Sequence, residues 1–244
     1  MIRPIAKRTW SLPIGPCNNR QPNVQANRKE AFEVKSQAAE ERKTALIAGS
    51  MLHGVRLYPL TAHADQRGAF TEIFQNDWRV GFAPVQWSSV SSKGGVLRGM
   101  YLHLRHDELI IVVGGRASVG LYDLRTDSPT REQAALFELC EEEPAILSFG
   151  RGIVHGWYFH EPSLHLQAVS ESYQQYKDDD NLGCHWADPE LGIPWPQRSC
   201  ILSERSANLP TLATLKLHVE FGQSNFESAK APLLNSTVGA TTKT

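Results

Sequence analysis

The sequence predicts an all-β fold in which two sheets pack face to face, as a sandwich or a jelly roll. Between Met51 and about Leu215, short runs of β-branched and aromatic residues alternate with Gly, Pro, Asp and Asn at intervals of roughly 8 to 12 residues. The same stretch contains no long segment with a helical period. Many short strands separated by turn residues are the pattern of a two-sheet antiparallel domain.

Ten short strands follow one another in this stretch. A glycine pair, Gly114-Gly115, permits the positive φ of a tight hairpin, and Asp127-Ser128-Pro129 is typical of the start of a loop. About 165 residues are enough for one domain that buries roughly 68–70% of its unfolded surface. The predicted strands are 54–60, 69–74, 85–91, 97–104, 108–115, 116–124, 135–141, 145–150, 155–161 and 164–171.

The two ends of the chain differ in composition from the predicted domain at 51–215. Residues 1–50 are predicted to be an extension, disordered or partly helical, because the first 29 residues contain six basic side chains and no acidic one. Residues 29–47 have a poorly formed apolar stripe that would suit an isolated helix. Residues 216–244 are predicted to be a tail, because the last residues are rich in Ser, Thr, Ala and Asn.

Composition excludes several classes of protein. The formal net charge is −1, so nothing in the balance of charges favours a nucleic-acid partner. The longest apolar run, Leu109 to Val113, is far shorter than the roughly 18 residues of a membrane helix, so we expect no membrane partner. Four cysteines without CxxC spacing predict free thiols, a reducing compartment and a cytoplasmic location.

Six motifs occur in order across nearly the whole predicted domain. They are DQRGAFTEIF (65–74), VQWSSVSSKGGVLRG (85–99), DLRTDSPT (123–130), GRGIVHGW (150–157), WADPELGIPWP (186–196) and LSERS (202–206). Together they resemble the dTDP-4-dehydrorhamnose 3,5-epimerase family. The resemblance implies a cupin-type jelly roll, or double-stranded β-helix, that forms a homodimer with strands exchanged between subunits. It also implies a dTDP-sugar inside the barrel, no cofactor, and a role in deoxysugar or polysaccharide biosynthesis.

The resemblance implies a set of substrate-binding residues. Arg67 and Arg98 match the positions where the family places arginines on the diphosphate, and a planar guanidinium can bind two phosphate oxygens at once. The other predicted substrate-binding residues are Phe70, Glu72, Gln86 and His103.

The positions that would carry proton transfer depart from the family. Epimerisation beside a ketone needs a base, an acid and a group that stabilises the enolate. The resemblance places Tyr101 at the family's histidine, Glu108 at its lysine and Ala168 at its tyrosine, with Ser206 and Val119 at two aspartates. A carboxylate in place of an ammonium would oppose an enolate, so we predict a sugar-binding cupin without the standard epimerase chemistry.

An active enzyme remains the first alternative. Tyr101 and His155 are the candidate catalytic pair, with His103 as another possible base, and the reaction would be epimerisation or isomerisation of a dTDP-4-keto-6-deoxy sugar. Strand parity predicts that His165 points outward, unless a bulge intervenes, because Ala168 takes the family's inward position. His106 is predicted to lie in a solvated loop.

A metal site is the second alternative. The spacing Tyr101-x-His103-x4-Glu108, followed by Gly150-x-Gly152-x2-His155, resembles the two metal motifs of cupins without the first histidine. His103, Glu108 and His155 would then form a set of two histidines and one carboxylate, which suits iron or manganese.

Overall fold

A computed structural model describes residues 44–197 and 199–220, without the side chains of 178 and 179, and contains thirteen strands within these residues. Short helices span Tyr173–Tyr176 and Glu204–Ala207, 3₁₀-helical turns span Lys177–Asp180 and Pro189–Leu191, and residues 212–220 are helical. The strands are β1 (Ala45–Gly49), β2 (Arg56–Pro59), β3 (Ala62–Asp65), β4 (Gly68–Thr71), β5 (Gln86–Ser92), β6 (Leu97–Leu102), β7 (Glu108–Gly114), β8 (Arg116–Asp123), β9 (Ala134–Cys140), β10 (Ala145–Phe149), β11 (Ile153–Phe159), β12 (Ser163–Val169) and β13 (Leu182–Gly183).

The strands form two antiparallel sheets and a separate hairpin. The larger sheet has six strands in the order β1-β9-β8-β11-β6-β13, and the smaller has five in the order β2-β10-β7-β12-β5. Strands β3 and β4 pair with each other. From β6 to β12 the chain passes back and forth between the two large sheets, except that β8 and β9 are neighbours in the larger one. The prediction of a double-sheet jelly roll is confirmed.

The core fills the space between the two sheets because inward residues alternate with outward ones along each strand. Val119, Phe137 and Trp157 come from the larger sheet, and Ile110 and Leu147 come from the smaller one. All five side chains are buried in one cluster.

The outer face of the larger sheet is covered by the end of the described chain. Leu212, Leu215 and Val219 pack there with Tyr158 of β11. The packed domain therefore extends beyond the predicted boundary at 215, because the apolar side chains of residues 212–220 cover a sheet face.

The domain also begins earlier than predicted. Strand β1 lies inside the predicted extension and pairs with the edge of β9, and Leu46 packs against the core. Residues 45–47 are therefore extended and not helical, because pairing with an open sheet edge outweighs a weak helical pattern. The rest of that predicted helix, and the predicted tail from 221 onward, lie outside the described residues.

Candidate functional site

The site lies in the barrel, where β6 and β11 run beside each other. Tyr101 is directly opposite His155 in the register, and the two rings are 6.5 Å apart between centroids. Close approach of the two strands depends on glycine, because a Cβ on Gly99 would lie 2.6 Å from the Cα of Gly156. The Arg-Gly and His-Gly motifs therefore serve to bring a tyrosine and a histidine together.

Five buried polar residues form what we call the imidazole–carboxylate cluster: His103, His106, Glu108, His155 and Asp180. Their exposed fractions range from 1% to 8%. Glu108 is central, because its Oε2 lies 3.0 Å from Nε2 of His155 and its Oε1 lies 3.6 Å from Nε2 of both His103 and His106. Strands β7 and β11 supply Glu108 and His155, whereas His103 and His106 follow β6.

The Nδ1 atoms of two histidines face backbone carbonyls. Nδ1 of His155 lies 3.0 Å from the carbonyl oxygen of Ile153, and Nδ1 of His103 makes a short hydrogen bond with the carbonyl oxygen of Asp180. Carbonyl oxygens only accept, so both Nδ1 atoms must donate. In the neutral ring the lone pair then belongs to Nε2, which points towards Glu108 in both cases.

His106 has a different environment, because it lies between two carboxylates. Its Nδ1 is 2.9 Å from Oδ2 of Asp180, and its Nε2 faces Glu108. Burial alone would lower the pKa of His106, but Asp180 and Glu108 outweigh it and raise that pKa to about 9. His106 is therefore a cation at neutral pH.

The charges of His103 and Glu108 are also set by burial and by the charged groups around them. Burial lowers the pKa of His103 to about 4, so this imidazole is neutral. Burial would raise the pKa of Glu108, but the imidazoles around it, His155 first, hold that pKa well below its ordinary value. The centre of the barrel therefore contains an ionised carboxylate.

Tyr101 is held by groups from the C-terminal part of the domain. Its hydroxyl lies 3.0 Å from Oγ of Ser206, and the Arg205 guanidinium carbon is 5.2 Å from the ring centroid. Ser206 is itself buried and accepts a hydrogen bond from the hydroxyl of Ser203. The group beside the Tyr101 hydroxyl is therefore a neutral hydroxyl.

The predicted substrate-binding residues divide into two groups. Arg98 lies beside Trp157 in the register and donates to Ser92 Oγ at 3.0 Å, and Oε1 of Gln86 accepts from the backbone N–H of Tyr173. The second group, Arg67, Phe70 and Glu72, lies on or next to the β3–β4 hairpin and is exposed. Within the described chain no hydrogen bond or ion pair joins this second group to the imidazole–carboxylate cluster.

Two predictions about buried histidines are wrong. His165 points inward, because it is 1% exposed and stacks on Trp157 and Phe159. The pairing of β12 with β5 is regular from Ser163 to Val169, so His165 and Ala168 do lie on opposite faces. The error was to take Ala168 as the inward residue, because Ala168 packs on the outer face. His106, predicted to be solvated, is 1% exposed because two buried carboxylates hold it inside.

The residue of β12 that faces the site is Gln167. Ala168 packs with Leu109 and Ile111 on the outer face of the smaller sheet, so it does not take the inward position predicted for it. Gln167 lies on the inner face and donates from Nε2 to Oε1 of Glu108 at 2.7 Å. Sequence reasoning missed Gln167 because it shares a face with His165, which was predicted to point outward.

Asp180 is the other cluster residue that sequence reasoning missed. Its carboxylate accepts from the backbone N–H groups of Leu104 and Arg105, in addition to its contact with His106. Asp180 lies in the run Asp178-Asp179-Asp180, which resembles a solvated surface segment, and no sequence signal connects it to a histidine 74 positions earlier.

Two sets of potential metal ligands lie within the cluster. In each set the ligand atoms are within 4.8 Å of one another: His103, Glu108 and His155 in one, and His103, His106 and Asp180 in the other. Each set contains a close histidine–carboxylate contact, 3.0 Å between His155 and Glu108 in the first and 2.9 Å between His106 and Asp180 in the second. The first set resembles a metal site more closely, because both of its histidines direct Nε2 at the carboxylate and donate from Nδ1 to backbone carbonyls.

Comparison with known proteins gives consistent matches over the described domain. The family model for dTDP-4-dehydrorhamnose 3,5-epimerase matches residues 50–214. A spore coat polysaccharide biosynthesis protein of Bacillus subtilis, SpsL, is 30% identical over 149 residues, which is 59% of this chain and 97% of the relative. A dTDP-4-dehydrorhamnose 3,5-epimerase of Sinorhizobium fredii is 29% identical over 68% of this chain and 89% of its own length.

Solved structures that are similar to this chain are also epimerases. A dTDP-4-dehydrorhamnose 3,5-epimerase of Bacillus anthracis with TDP and pyrophosphate bound is 29% identical with a TM-score of 0.61, covering 70% of this chain and 100% of that one. An epimerase of Legionella pneumophila in complex with dTDP-4-keto-L-rhamnose is 25% identical with a TM-score of 0.62, covering 71% and 97%. None of the helices in the described ranges has the length and apolar character required to cross a membrane.

Proposed function

This chain belongs to the dTDP-4-dehydrorhamnose 3,5-epimerase family, and on that premise we propose that it binds a dTDP-linked deoxyhexose in its barrel. We propose further that its side chains alone do not carry out the double epimerisation. The biological role would lie in deoxysugar or polysaccharide biosynthesis, which fits the names of its relatives. A cytoplasmic location is part of the proposal, since Cys184 and Cys200 form no disulfide in the described residues.

One observation carries the proposal that standard epimerisation is absent. Glu108 is 2% exposed and ionised at the centre of the cluster, where the family resemblance implies a lysine. An enolate oxygen developing about 4 Å from this carboxylate would be repelled by about 4 kcal/mol at an effective dielectric constant near 20. That repulsion opposes the transition state that a lysine would stabilise.

The nucleotide end of the barrel supports binding. Arg98 is held by Ser92 and by the carbonyl oxygen of Ser91, so its guanidinium is fixed on the inner face before a ligand arrives. A fixed guanidinium loses little entropy when it binds two oxygens of a diphosphate.

Arg67 and Phe70 suit a site shared between two copies of the chain. The side chain of Arg67 is 86% exposed, and Phe70 is 66% exposed. A protruding hairpin with an exposed aromatic ring and an arginine is an unusual surface for a monomer. In a homodimer this hairpin would extend to the barrel of the partner and place Arg67 on the diphosphate.

Calorimetric titration with dTDP tests the binding site. We expect Arg98→Ala to weaken dTDP binding about 10-fold to 100-fold, because a hydrogen bond to a charged group contributes about 1.5–3 kcal/mol. Arg131→Ala, in the exposed loop after β8, is the matched control and should bind as the unaltered protein does. If the unaltered protein does not bind dTDP, the proposal is wrong.

A mixture of two variants tests whether the site is shared. In a hybrid dimer of Arg67→Ala and Arg98→Ala subunits, one site would combine both defects and the other would be intact. We expect unmixed variants to bind dTDP weakly and the mixture to recover tight sites, one per hybrid dimer. A mixture that binds no better than its components would show that the hairpin serves its own barrel.

A further inference from the structure

We propose that His103, Glu108 and His155 form a binding site for one divalent first-row transition-metal ion. The site goes beyond sugar binding, and its existence does not depend on the nucleotide. The argument uses the hydrogen bonds, separations and burial of the three side chains.

Two of the ligand atoms are buried and lack a hydrogen-bond partner. Oε2 of Glu108 and Nε2 of His155 face each other 3.0 Å apart, but no hydrogen bond of acceptable geometry joins them. Their residues are 2% and 1% exposed. Buried polar atoms without partners are costly, and native proteins rarely leave two of them face to face.

The hydrogen bonds of the histidines explain why these atoms lack partners. Both His103 and His155 donate from Nδ1 to backbone carbonyls, and both direct Nε2 towards the carboxylate of Glu108. A metal ion between these atoms would bind all three residues as ligands. Metal-bound histidines have this same arrangement, in which the ring nitrogen that does not bind the metal donates to a carbonyl or carboxylate.

Glu108, like the two histidines, is held by a hydrogen bond to an atom that does not face the proposed metal. Its Oε1 accepts from Nε2 of Gln167 at 2.7 Å, and this bond leaves Oε2 directed at His155. Each of the three residues is therefore fixed through an atom other than its best ligand atom. This fixation by neighbouring groups is what a preformed metal site requires.

The separations match one shared ion. Two ligand atoms that are each about 2.1 Å from a metal lie about 3.0 Å apart at an octahedral angle and about 3.4 Å apart at a tetrahedral one. Nε2 of His155 lies 3.0 Å from Oε2 of Glu108, and Nε2 of His103 lies 3.6 Å from Oε1 of the same carboxylate. One ligand atom from each of the three residues lies within 4.8 Å of the other two, so an ion would draw the side chains closer together.

The ligand set indicates the class of metal. Two imidazoles and one carboxylate suit iron(II), manganese(II) or zinc, whereas calcium and magnesium prefer sets made only of oxygen atoms. The carboxylate leaves a bound divalent ion with a residual charge of about +1.

Calorimetry on chelator-treated, full-length protein tests the proposal without nucleotide. We expect one equivalent of manganese(II) or zinc to bind, and Glu108→Gln and His103→Gln each to weaken binding at least 100-fold. His165→Gln is the matched control, because it removes another buried histidine of the same barrel and should leave metal affinity within about threefold. Binding of less than a tenth of an equivalent, or unchanged affinity in both ligand variants, would overturn the site.

X-ray absorption at the metal edge keeps the test valid if a variant does not fold. The zinc-loaded, unaltered protein should show two imidazoles and at least one oxygen around the metal. A first shell with no imidazole, or with only one, would rule out this ligand set. Because neither measurement includes dTDP, a failure here is distinct from a failure of sugar-nucleotide binding.

Discussion

Two buried carboxylates of this domain, Asp123 and Glu108, have opposite environments. Asp123 is completely buried at the end of β8, and its two oxygens accept hydrogen bonds from Arg125, Ser128 and Thr130 at 2.6 to 3.1 Å. Glu108 begins β7 and is equally inaccessible, yet its Oε2 has no hydrogen bond.

The difference separates a structural polar group from a functional one. Asp123 ties together the loop after β8, and each of its partners is a donor that cannot take another role without breaking that loop. Glu108 faces the Nε2 atoms of His103 and His155, which could bind a metal ion. Saturated hydrogen bonding favours stability, whereas buried atoms without partners indicate a binding site.

Replacing each carboxylate in turn by its amide tests whether the two residues contribute differently to stability. We expect Asp123→Asn to lower the free energy of unfolding by about 3 kcal/mol, because it leaves Arg125 with a partly buried, unpaired charge. Glu108→Gln should cost less than Asp123→Asn in metal-free protein, because the new amide can donate to Nε2 of His155 and Asp180 still pairs with His106. Urea denaturation measures both, and equal losses would contradict the distinction.

Asp123 should contribute to the loss of stability at low pH. Burial alone would raise the pKa of Asp123, but Arg125, Ser128 and Thr130 lower it to about 2. A depressed pKa adds stability above the unfolded value of about 3.9, and that stability is lost as the pH falls towards 2. We expect a loss of about 2 kcal/mol over this range in the unaltered protein, measured by urea denaturation at several pH values.

The matched control for the acid limb is Asp123→Asn, which has no carboxyl to protonate at this position. Its stability should fall less steeply between pH 4 and 2 than that of the unaltered protein. Parallel curves for the two proteins would show that other carboxyls cause the acid limb.

His165 offers a smaller test in a different pH range. Burial lowers the pKa of His165 to about 4. Its neutral form therefore adds stability above the unfolded pKa of about 6.5, and this contribution is lost as the pH falls towards 4. We expect His165→Gln to remove about 1 to 2 kcal/mol of pH dependence from the unfolding free energy, and an unchanged profile would contradict the neutral, buried assignment.

The smallest expected effect concerns Tyr101. Tyr101→Phe removes the contact with Ser206 and should reduce unfolding free energy by about 0.5 to 1 kcal/mol, as for an ordinary hydrogen bond. Because Arg98, and not Tyr101, is the proposed diphosphate-binding residue, dTDP affinity should not change, and a dTDP titration checks this. A large loss of dTDP affinity would make the tyrosine a ligand-binding group.

The sequence was a good guide to regular strands because alternation and turn residues are local signals. It identified β5 to β12, and the shared inward face of His155, Trp157 and Phe159. Strands β1, β3 and β13 were missed because each is short and lacks a clear alternating pattern. The third of these has only two residues.

The cluster was only partly predictable for a related reason. The convergence of His103, Glu108 and His155 follows from spacing along two motifs, and the structure brings these three residues together. The pairing of His106 with Asp180 depends on how distant segments meet, and a long-range contact leaves no local trace in the sequence. The inward position of Gln167 was missed because Ala168 was taken as the inward residue of β12.

Solvent exchange tests directly whether this protein removes protons from a bound nucleotide sugar. Chelator-treated protein would be saturated with dTDP-4-keto-6-deoxyglucose in deuterated water, and proton NMR would follow C3 and C5 of the sugar. With Glu108 where a lysine is implied and Ser206 beside Tyr101, we expect the nucleotide sugar to bind and neither carbon to gain deuterium above the uncatalysed rate. Rapid deuterium incorporation at either carbon would contradict this expectation and would make His155 and Tyr101 an active acid–base pair.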